Sequence, residues 1–316
     1  METRFSDKLT IAIPCYERYD YFEEAVNSAI NQTVRCSVIV VDNGSSHNKF
    51  RDYIERLNDN RIKYYRNEKN IGMFGNWNKC YLYSETEYVM ILGDDDILNQ
   101  GFVEEFEKAV SQYDIDIYFS DFVFLYEKTQ VRHPYKLIFG SSDIGKIKKK
   151  ACFEGLSFPT ISQCTRRKIM VTHPFMENPH GSNDWLHIYT LDDDLKVYGN
   201  DKVLMTYRRH LLNDSSINAI TTGATLPVIY WQLYKYYEKD DNVAAQSAKR
   251  NAIKRLLINI IKGNFRFREY LMQQNYYADY YRNVIFPQHR YLRFMAYSKA
   301  IMCSSKLAYA LIKMLK

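Results

Sequence analysis

Three adjacent carboxylates, Asp94-Asp95-Asp96, follow directly on the apolar run Tyr88–Leu92 and Gly93. Like charges this close repel one another unless a cation neutralises them. Hard divalent ions such as Mg²⁺ and Mn²⁺ take oxygen ligands of this kind and share them with substrate phosphates. The plain alternative is an exposed acidic turn, and the position behind a buried run favours the ligand site. A second triplet, Asp192-Asp193-Asp194, has no such run before it and reads as a solvated turn. Asp42 closes another apolar run, Cys36–Val41, ahead of Asn43-Gly44-Ser45. A carboxylate there accepts from a base imide or a ribose hydroxyl, or it holds its own loop as an Asx turn. Asn70 adds a donor–acceptor amide, and Gly72 a place where backbone can approach a ligand closely.

The elements that must position these groups alternate in type. Leu9–Pro14, Cys36–Val41, Arg61–Arg66, Tyr88–Leu92 and Ile115–Ser120 read as strands, and Tyr21–Gln32, Lys49–Asn58, Met73–Glu85 and Gly101–Gln112 as helices. Such alternation, with continuously apolar strands, predicts an α/β fold whose mostly parallel sheet is covered on both faces. Ligands in these sheets lie beyond the carboxyl ends of the strands. Each polar cluster follows a strand end: Cys15–Arg18, Asp42–Ser46, Asn67–Gly72 and Asp94–Asp96. Between 121 and 170 the pattern blurs, and the basic run Lys146–Lys150 reads as a solvated loop or helix face.

Taken in order, I-P-C-Y-E-R (13–18), V-V-D-N-G-S-S (40–46), N-I-G-M-F-G-N-W-N (70–78) and I-L-G-D-D-D-I-L (91–98) resemble the motifs of glycosyltransferase family 2, inverting enzymes with the GT-A fold. The resemblance runs over residues 8–215 and is strongest over 8–98. It implies a Rossmann-like nucleotide-binding domain, a nucleotide-sugar donor and a divalent metal, Mn²⁺ or Mg²⁺. By this resemblance Pro14, Tyr16 and Arg18 form the first nucleotide loop, with Glu17 where the family usually has Asn. Asp42 recognises the base, Asn43 replaces the family's second Asp, and Asn70 and Gly72 line the nucleotide pocket. Aligned on the flanking Ile-Leu, Gly93 takes the place of the family's first Asp. Asp95 and Asp96 then hold the metal with Asp94 beside the nucleotide, while another register makes Asp94 and Asp96 the metal pair.

The family also needs a general base to take the acceptor's proton. In H-G-S-N-D-W-L-H (180–187), Asp184 stands at that place, although Ser182, Asn183 and Asp184 also fit a helix N-cap. Trp185 suits either a sugar-stacking or a core role. Y-R-R-H (207–210), expected after a strand at Lys202–Thr206, resembles the family's Tyr-Arg-x-His. It places Arg208 by the diphosphate and His210 by the metal. Glu177 resembles a pocket residue.

A hydrophobic content of 46% excludes global disorder, and 12 Gly with 7 Pro exclude collagen-like and low-complexity classes. Six cysteines without a C-x-x-C pair read as reduced, buried thiols. The charged start, Met1–Thr10, lacks the apolar core of a signal peptide, and no run approaches a membrane span. The net charge of +6 hides an asymmetry: 225–316 carry 16 Lys and Arg against 5 Asp and Glu, a net of +11, leaving −5 over 1–224. We therefore expect a catalytic domain over 1–224 and a basic, Tyr-rich helical region over 225–316. Its helices, at Thr225–Asp240, Val243–Lys262 and Ala296–Lys316, suit either an anionic membrane surface or a helical core or homo-oligomer contact. A cytoplasmic protein with peripheral contact at the inner face of the plasma membrane is the expectation. No nucleic-acid partner is expected, since no binding module is recognised and the acidic nucleotide cleft argues against one.

The expected activity is transfer of a sugar, with UDP as the expected nucleotide, to a glycan or lipid-linked glycan in bacterial surface polysaccharide synthesis. A nucleotidyltransferase would want a Gly-rich basic loop after the first strand, and C-Y-E-R is not one. A catalytically inactive carbohydrate-binding or scaffold protein has no need of the intact Asp42, Asp95 and Asp184.

Overall fold

The structure is a computed structural model that describes residues 4–126, 129–132, 139–154, 162–176, 183–210, 213 and 219–261. The chain divides into two compact units, Met1–Ile217 and Asn218–Lys316.

In the first unit β1 (Phe5–Cys15), β2 (Arg35–Asp42), β3 (Ile62–Arg66) and β4 (Tyr88–Ile91) lie parallel in the order β3-β2-β1-β4. They are linked by α1 (Phe22–Ile30), α2 (Lys49–Leu57) and α3 (Met73–Tyr83). The strands are apolar throughout because both faces of the sheet are buried. Leu9, Ile11 and Ile13 of β1 point into one core with Phe22 and Val26 of α1 and Phe50 of α2. Ala12 points into a second core with Ile39, Val41 and Val89, closed by Cys80 and Tyr81 of α3. Because the strands run in register, Cys15 lies opposite Asp42, and Asp42 opposite Arg66. Their loops therefore emerge along one edge.

Beyond β4 the sheet becomes mixed. β6 (Ile117–Tyr126) and β10 (Lys196–Arg209) are parallel to each other, while β9 (Gln163–Arg166) runs antiparallel between β4 and β6. Short strands β5 (Ile97–Leu98), β7 (Thr129–Arg132) and β8 (Gly140–Asp143) add to β10, β6 and β10 respectively. The helices are α4 (Phe102–Gln112), α5 (Ile144–Glu154), α6 (Arg167–Thr172) and α7 (Asn183–Ile188).

Two local expectations change here. The strand expected at Lys202–Thr206 is the middle of β10, so Tyr207 and Arg208 lie on the strand, not after it. The run Lys146–Lys150 is not a wholly solvated face: Lys148 is 3% exposed, on the inward side of α5 with Ile144, Ile147 and Ala151. Its Nζ donates to Leu191 O at 2.6 Å and to Asp193 Oδ1 at 2.7 Å. A buried ammonium requires such partners, and they give Asp193 of the second acidic triplet a structural task.

The second unit contains α8 (Ala219–Tyr237) and α9 (Asn242–Ile261), and residue 224 falls inside α8. Ile229, Tyr230 and Leu233 of α8 are buried, as are Ala244, Ala248 and Ala252 at four-residue spacing on α9. Lys249 of α9 sits 5.1 Å from the centre of the Tyr234 ring. Among the described residues of α9 that buried stripe is thus made of alanines. Ile253 is only half-buried. The side chains of Leu256, Leu257, Ile260 and Ile261, and the expected helix at Ala296–Lys316, lie outside the described residues. Among the described residues no helix is long and apolar enough to cross a membrane.

Phe106 of α4 is fully buried and meets Tyr88 and Tyr118 edge-on at 5.2 and 5.6 Å. We expect Phe106→Ala to cost about 3–5 kcal/mol of unfolding free energy. A urea titration checks this, and a loss under about 1 kcal/mol would contradict the packing.

Candidate active site

Asp94, Asp95 and Asp96 form a turn after β4, closed by Asp96 N–H donating to Gly93 O at 3.1 Å. They are 9, 7 and 3% exposed. A Cβ at Gly93 would lie 2.8 Å from Asp96 Oδ2 and 2.9 Å from Asp95 Oδ1. A side chain at position 93 would therefore displace the Asp95 and Asp96 carboxylates from these positions.

Arg18, from the loop after β1, ion-pairs with Asp94 and, at 2.8 Å, with Asp95 Oδ2. From the end of β10, Arg208 donates its backbone N–H to Asp96 Oδ1 at 2.9 Å and its Nε to Asp95 O at 2.8 Å. His210 Nε2 lies 3.0 Å from Asp95 Oδ2, and Asn213 Nδ2 donates to the same oxygen at 2.9 Å. Burial pushes the Asp94 carboxyl up to about 7 against the opposing charge of Arg18. Burial, reinforced by the Asp95 charge, holds Asp96 well above the usual carboxylate range. Fully ionised, the three carboxylates would carry more negative charge than the Arg18 guanidinium offsets, and either protons or a further cation relieve it.

Among the described residues no three His, Cys, Asp or Glu side chains converge as ligands around a point. The donor set nevertheless suits a hard divalent ion in its chemistry: carboxylate oxygens of Asp95 and Asp96, with the His210 imidazole beside Asp95.

On the other side of the strand edge, Asp42 is fully buried. Its Oδ1 accepts from Ser45 N–H at 2.9 Å and from Ser45 Oγ at 2.6 Å, and its Oδ2 accepts from Tyr64 OH at 2.7 Å. Asp42 therefore holds the turn after β2, the Asx role open to it from the sequence. Glu17, at φ 56°, accepts from Ser46 N–H at 2.7 Å and Ser46 Oγ at 2.9 Å, which clasps the loop after β1 to the loop after β2. Those hydrogen bonds hold its carboxyl below the usual range. Tyr16 is exposed and Pro14 half-buried on the same edge. Asn70 is exposed and Gly72, at φ 83°, precedes the first turn of α3.

Asp184 lies in the first turn of α7 and is half-buried. Its helix is moored to α3. The His187 ring is 4.5 Å from Phe175, and Phe175 packs against Phe74 and Trp77 at 5.6 and 5.4 Å. Phe175 also exchanges backbone hydrogen bonds with the Asn78 amide at 2.9 and 3.0 Å. Burial holds the His187 pKa below its ordinary value. Glu177, Ser182 and the side chains of Asn183 and Trp185 lie outside the described residues.

Several contributors carried no sequence signal of their own. Tyr21 places its ring 4.4 Å from the Arg208 guanidinium and 5.0 Å from the His210 ring, and Glu24 ion-pairs with Arg208. Asn213 and Tyr64 have equally ordinary contexts. Only the fold brings each of them to an acidic group.

Residues 10–173, just over half the chain, match the model of the family described as glycosyl transferase family 2. Over 97 residues the chain is 32% identical to the GalNAc(5)-diNAcBac-PP-undecaprenol beta-1,3-glucosyltransferase of Campylobacter jejuni, covering 30% of this chain and 31% of that protein. The chain spans about half the length, or less, of the curated relatives it matches. The fold is similar to residues 1–349 of S. aureus TarS in complex with UDP-GlcNAc, with a TM-score of 0.60 at 16% identity over 78% of this chain and 72% of that one. It is also similar to the mannosyltransferase PcManGT of Pyrobaculum calidifontis in complex with GDP-Man and Mn²⁺, with a TM-score of 0.53 at 12% identity over 93% and 86%. The fold is therefore the GT-A type that the alternation of elements and the motif order pointed to.

Removing the Asp42 carboxylate strands the buried donors of Ser45 and the half-buried Tyr64 hydroxyl. We expect Asp42→Ala to destabilise the folded chain by about 1–3 kcal/mol, read by thermal or denaturant unfolding without ligand. Unchanged stability would show that Asp42 does not hold its turn.

Proposed function

Since the chain belongs to glycosyltransferase family 2, we propose that it moves a sugar from a nucleoside-diphosphate donor to a hydroxyl of a glycan or lipid-linked glycan, inverting the anomeric carbon. The observation that carries this reading is the gathering of Arg18, Asp94–Asp96, Arg208, His210 and Asn213 beyond the carboxyl ends of the parallel strands. A buried acidic cluster flanked by two arginines suits a diphosphate brought in with a cation. Uracil as the base is favoured by the UDP-GlcNAc complex of the S. aureus neighbour. A lipid-linked acceptor is favoured by the undecaprenol-linked substrate in the Campylobacter relative's name.

The residues divide the work as follows. Pro14, Tyr16, Asn70 and Gly72 form the nucleotide wall, and Arg18 and Arg208 bear on the diphosphate. A divalent cation, Mn²⁺ or Mg²⁺, would be held by Asp95, Asp96 and His210 and supplies positive charge against the leaving diphosphate. Asp184 takes the proton from the acceptor hydroxyl as its oxygen attacks the anomeric carbon. The bond from that carbon to the diphosphate oxygen breaks on the opposite face, so one displacement inverts the configuration without a covalent sugar–enzyme intermediate. The basic 225–316 region supports a place against an anionic membrane face, near a lipid-linked acceptor, with a role in bacterial surface glycan synthesis.

A melting-temperature screen of nucleotide sugars, with and without Mn²⁺, tests donor use directly, because a ligand of the native state raises its stability. We expect a UDP-sugar to respond, and more strongly with the cation; no response to any nucleotide sugar would sink the proposal. Asp184→Asn should lower transfer by about 10²–10⁴-fold while UDP affinity stays near that of the unaltered chain. Normal turnover in that variant would remove Asp184 from the role.

A further inference from the structure

The loops after β2 and β3 meet backbone to backbone. A Cβ at Gly44, whose φ is +76°, would lie 2.7 Å from the Lys69 carbonyl carbon, so only glycine allows the approach. Between these loops lies Asn43, 3% exposed, at the position where the family motif has its second Asp. Its Oδ1 accepts from Ile71 N–H at 3.0 Å and from Asn67 Nδ2 at 3.0 Å. Its Nδ2 donates to Gly72 O at 3.1 Å and to Asn70 Oδ1 at 2.9 Å. A backbone N–H only donates and a carbonyl only accepts, so Ile71 and Gly72 together fix which end of the amide is which. The network continues inward: Asn67 Nδ2 also donates to Asn76 Oδ1 at 2.9 Å, and Asn76 Nδ2 to Val41 O at 2.9 Å.

Every hydrogen-bonding position of the Asn43 side chain is thus spent inside the protein, and that side chain has none to offer a ligand. The case of Asn70 is the reverse. Its Oδ1 is pinned by Asn43 Nδ2 and by Gly72 N–H at 2.8 Å. Among the described residues nothing engages its Nδ2, and the residue is exposed on the edge that carries the site. A carboxylate at 43 would keep both accepted bonds but turn an oxygen toward Gly72 O and Asn70 Oδ1, replacing two donations by two repulsions.

We infer that Asn43 is a positioning residue: its neutral amide locks the loop after β3 so that Asn70 presents Nδ2 as an oriented donor to the nucleotide. The pocket half of this inference rests on the nucleotide-binding reading of the site. The ligand groups such a donor fits are uncharged or anionic oxygens, meaning a pyrimidine carbonyl, a ribose hydroxyl or a phosphate.

The test uses the full chain with Asn43→Asp, Asn70→Ala and the double variant, read by amide hydrogen exchange without ligand and by UDP titration calorimetry. Asn43→Ser, which keeps one donor and one acceptor, substitutes if Asn43→Asp does not fold. We expect Asn43→Asp to accelerate exchange at Gly72 N–H and to weaken UDP binding about tenfold, the worth of about one hydrogen bond. On the Asn70→Ala background the same substitution should change UDP affinity less than about twofold, because it acts through Asn70. Unchanged exchange in Asn43→Asp overturns the lock. Faster exchange with unchanged UDP affinity, or additive losses in the double variant, overturns the link to Asn70. If the unaltered chain binds neither UDP nor any nucleoside diphosphate, the functional reading falls, and the pocket half of the inference with it, while the exchange data still decide the lock.

Discussion

The Arg18 guanidinium reaches both Asp94 and Asp95, and the rest of the site is arranged around the charge that this contact leaves uncompensated. Taking a carboxylate out of water is costly unless it is paired and hydrogen-bonded. Three in succession at the end of one strand multiply the problem, and burial raises the proton affinity of Asp94 and Asp96 accordingly. The fold answers from far along the chain. The end of β10 supplies an N–H to Asp96 and a guanidinium to the Asp95 carbonyl, and His210 and Asn213 after it bring an imidazole and an amide to Asp95. Arg208 is itself held in place by stacking on Tyr21 and pairing with Glu24 of α1.

The neighbouring part of the edge is built on the opposite principle. Around the end of β2 the chain uses neutral amides, with Asn43, Asn67 and Asn76 all buried and satisfied. The one buried carboxylate there, Asp42, is saturated by Ser45 and Tyr64, with Arg66 3.7 Å away. A neutral, saturated network is rigid and adds no charge to a pocket that already faces three acids. On the proposed reading, diphosphate and cation would meet only the Arg18–Asp95 pole, while the asparagine pole provides shape and oriented dipoles.

How much of this was legible depended on whether the signal was local. β1, β2 and β4 read clearly because both of their faces are buried and their residues are continuously apolar, as in Leu9–Ile13 and Val38–Val41. The loops at their ends carried motifs for the same reason: a parallel register lines up Cys15, Asp42 and Arg66 whatever the rest of the chain does. β9 was invisible because Gln-Cys-Thr-Arg is short and half polar, and its place between β4 and β6 comes from its partners. The run Lys146–Lys150 looks solvated in sequence, and only the helical period of α5 turns Lys148 inward. Asn213 and Tyr21 could not be assigned from spacing, because their importance lies in atoms more than a hundred residues away.

That distance bears on what the motif-rich half of the chain can do alone. The family match ends at residue 173, whereas Arg208, His210 and Asn213 come later and reach the acids only because β10 pairs with β6 in parallel. The same pairing is interrupted by register shifts between Asn200 and Met205, just before the strand delivers Arg208. An irregular strand that still places one N–H on Asp96 and one side chain on Asp95 is over-determined by those contacts, since they fix it from the far side. The acidic turn and the end of β10 therefore depend on each other: the acids need the donors to remain buried, and the strand end needs the acids to hold its course. A substitution in either is felt by the other through shared partners, which is where additivity between sites fails.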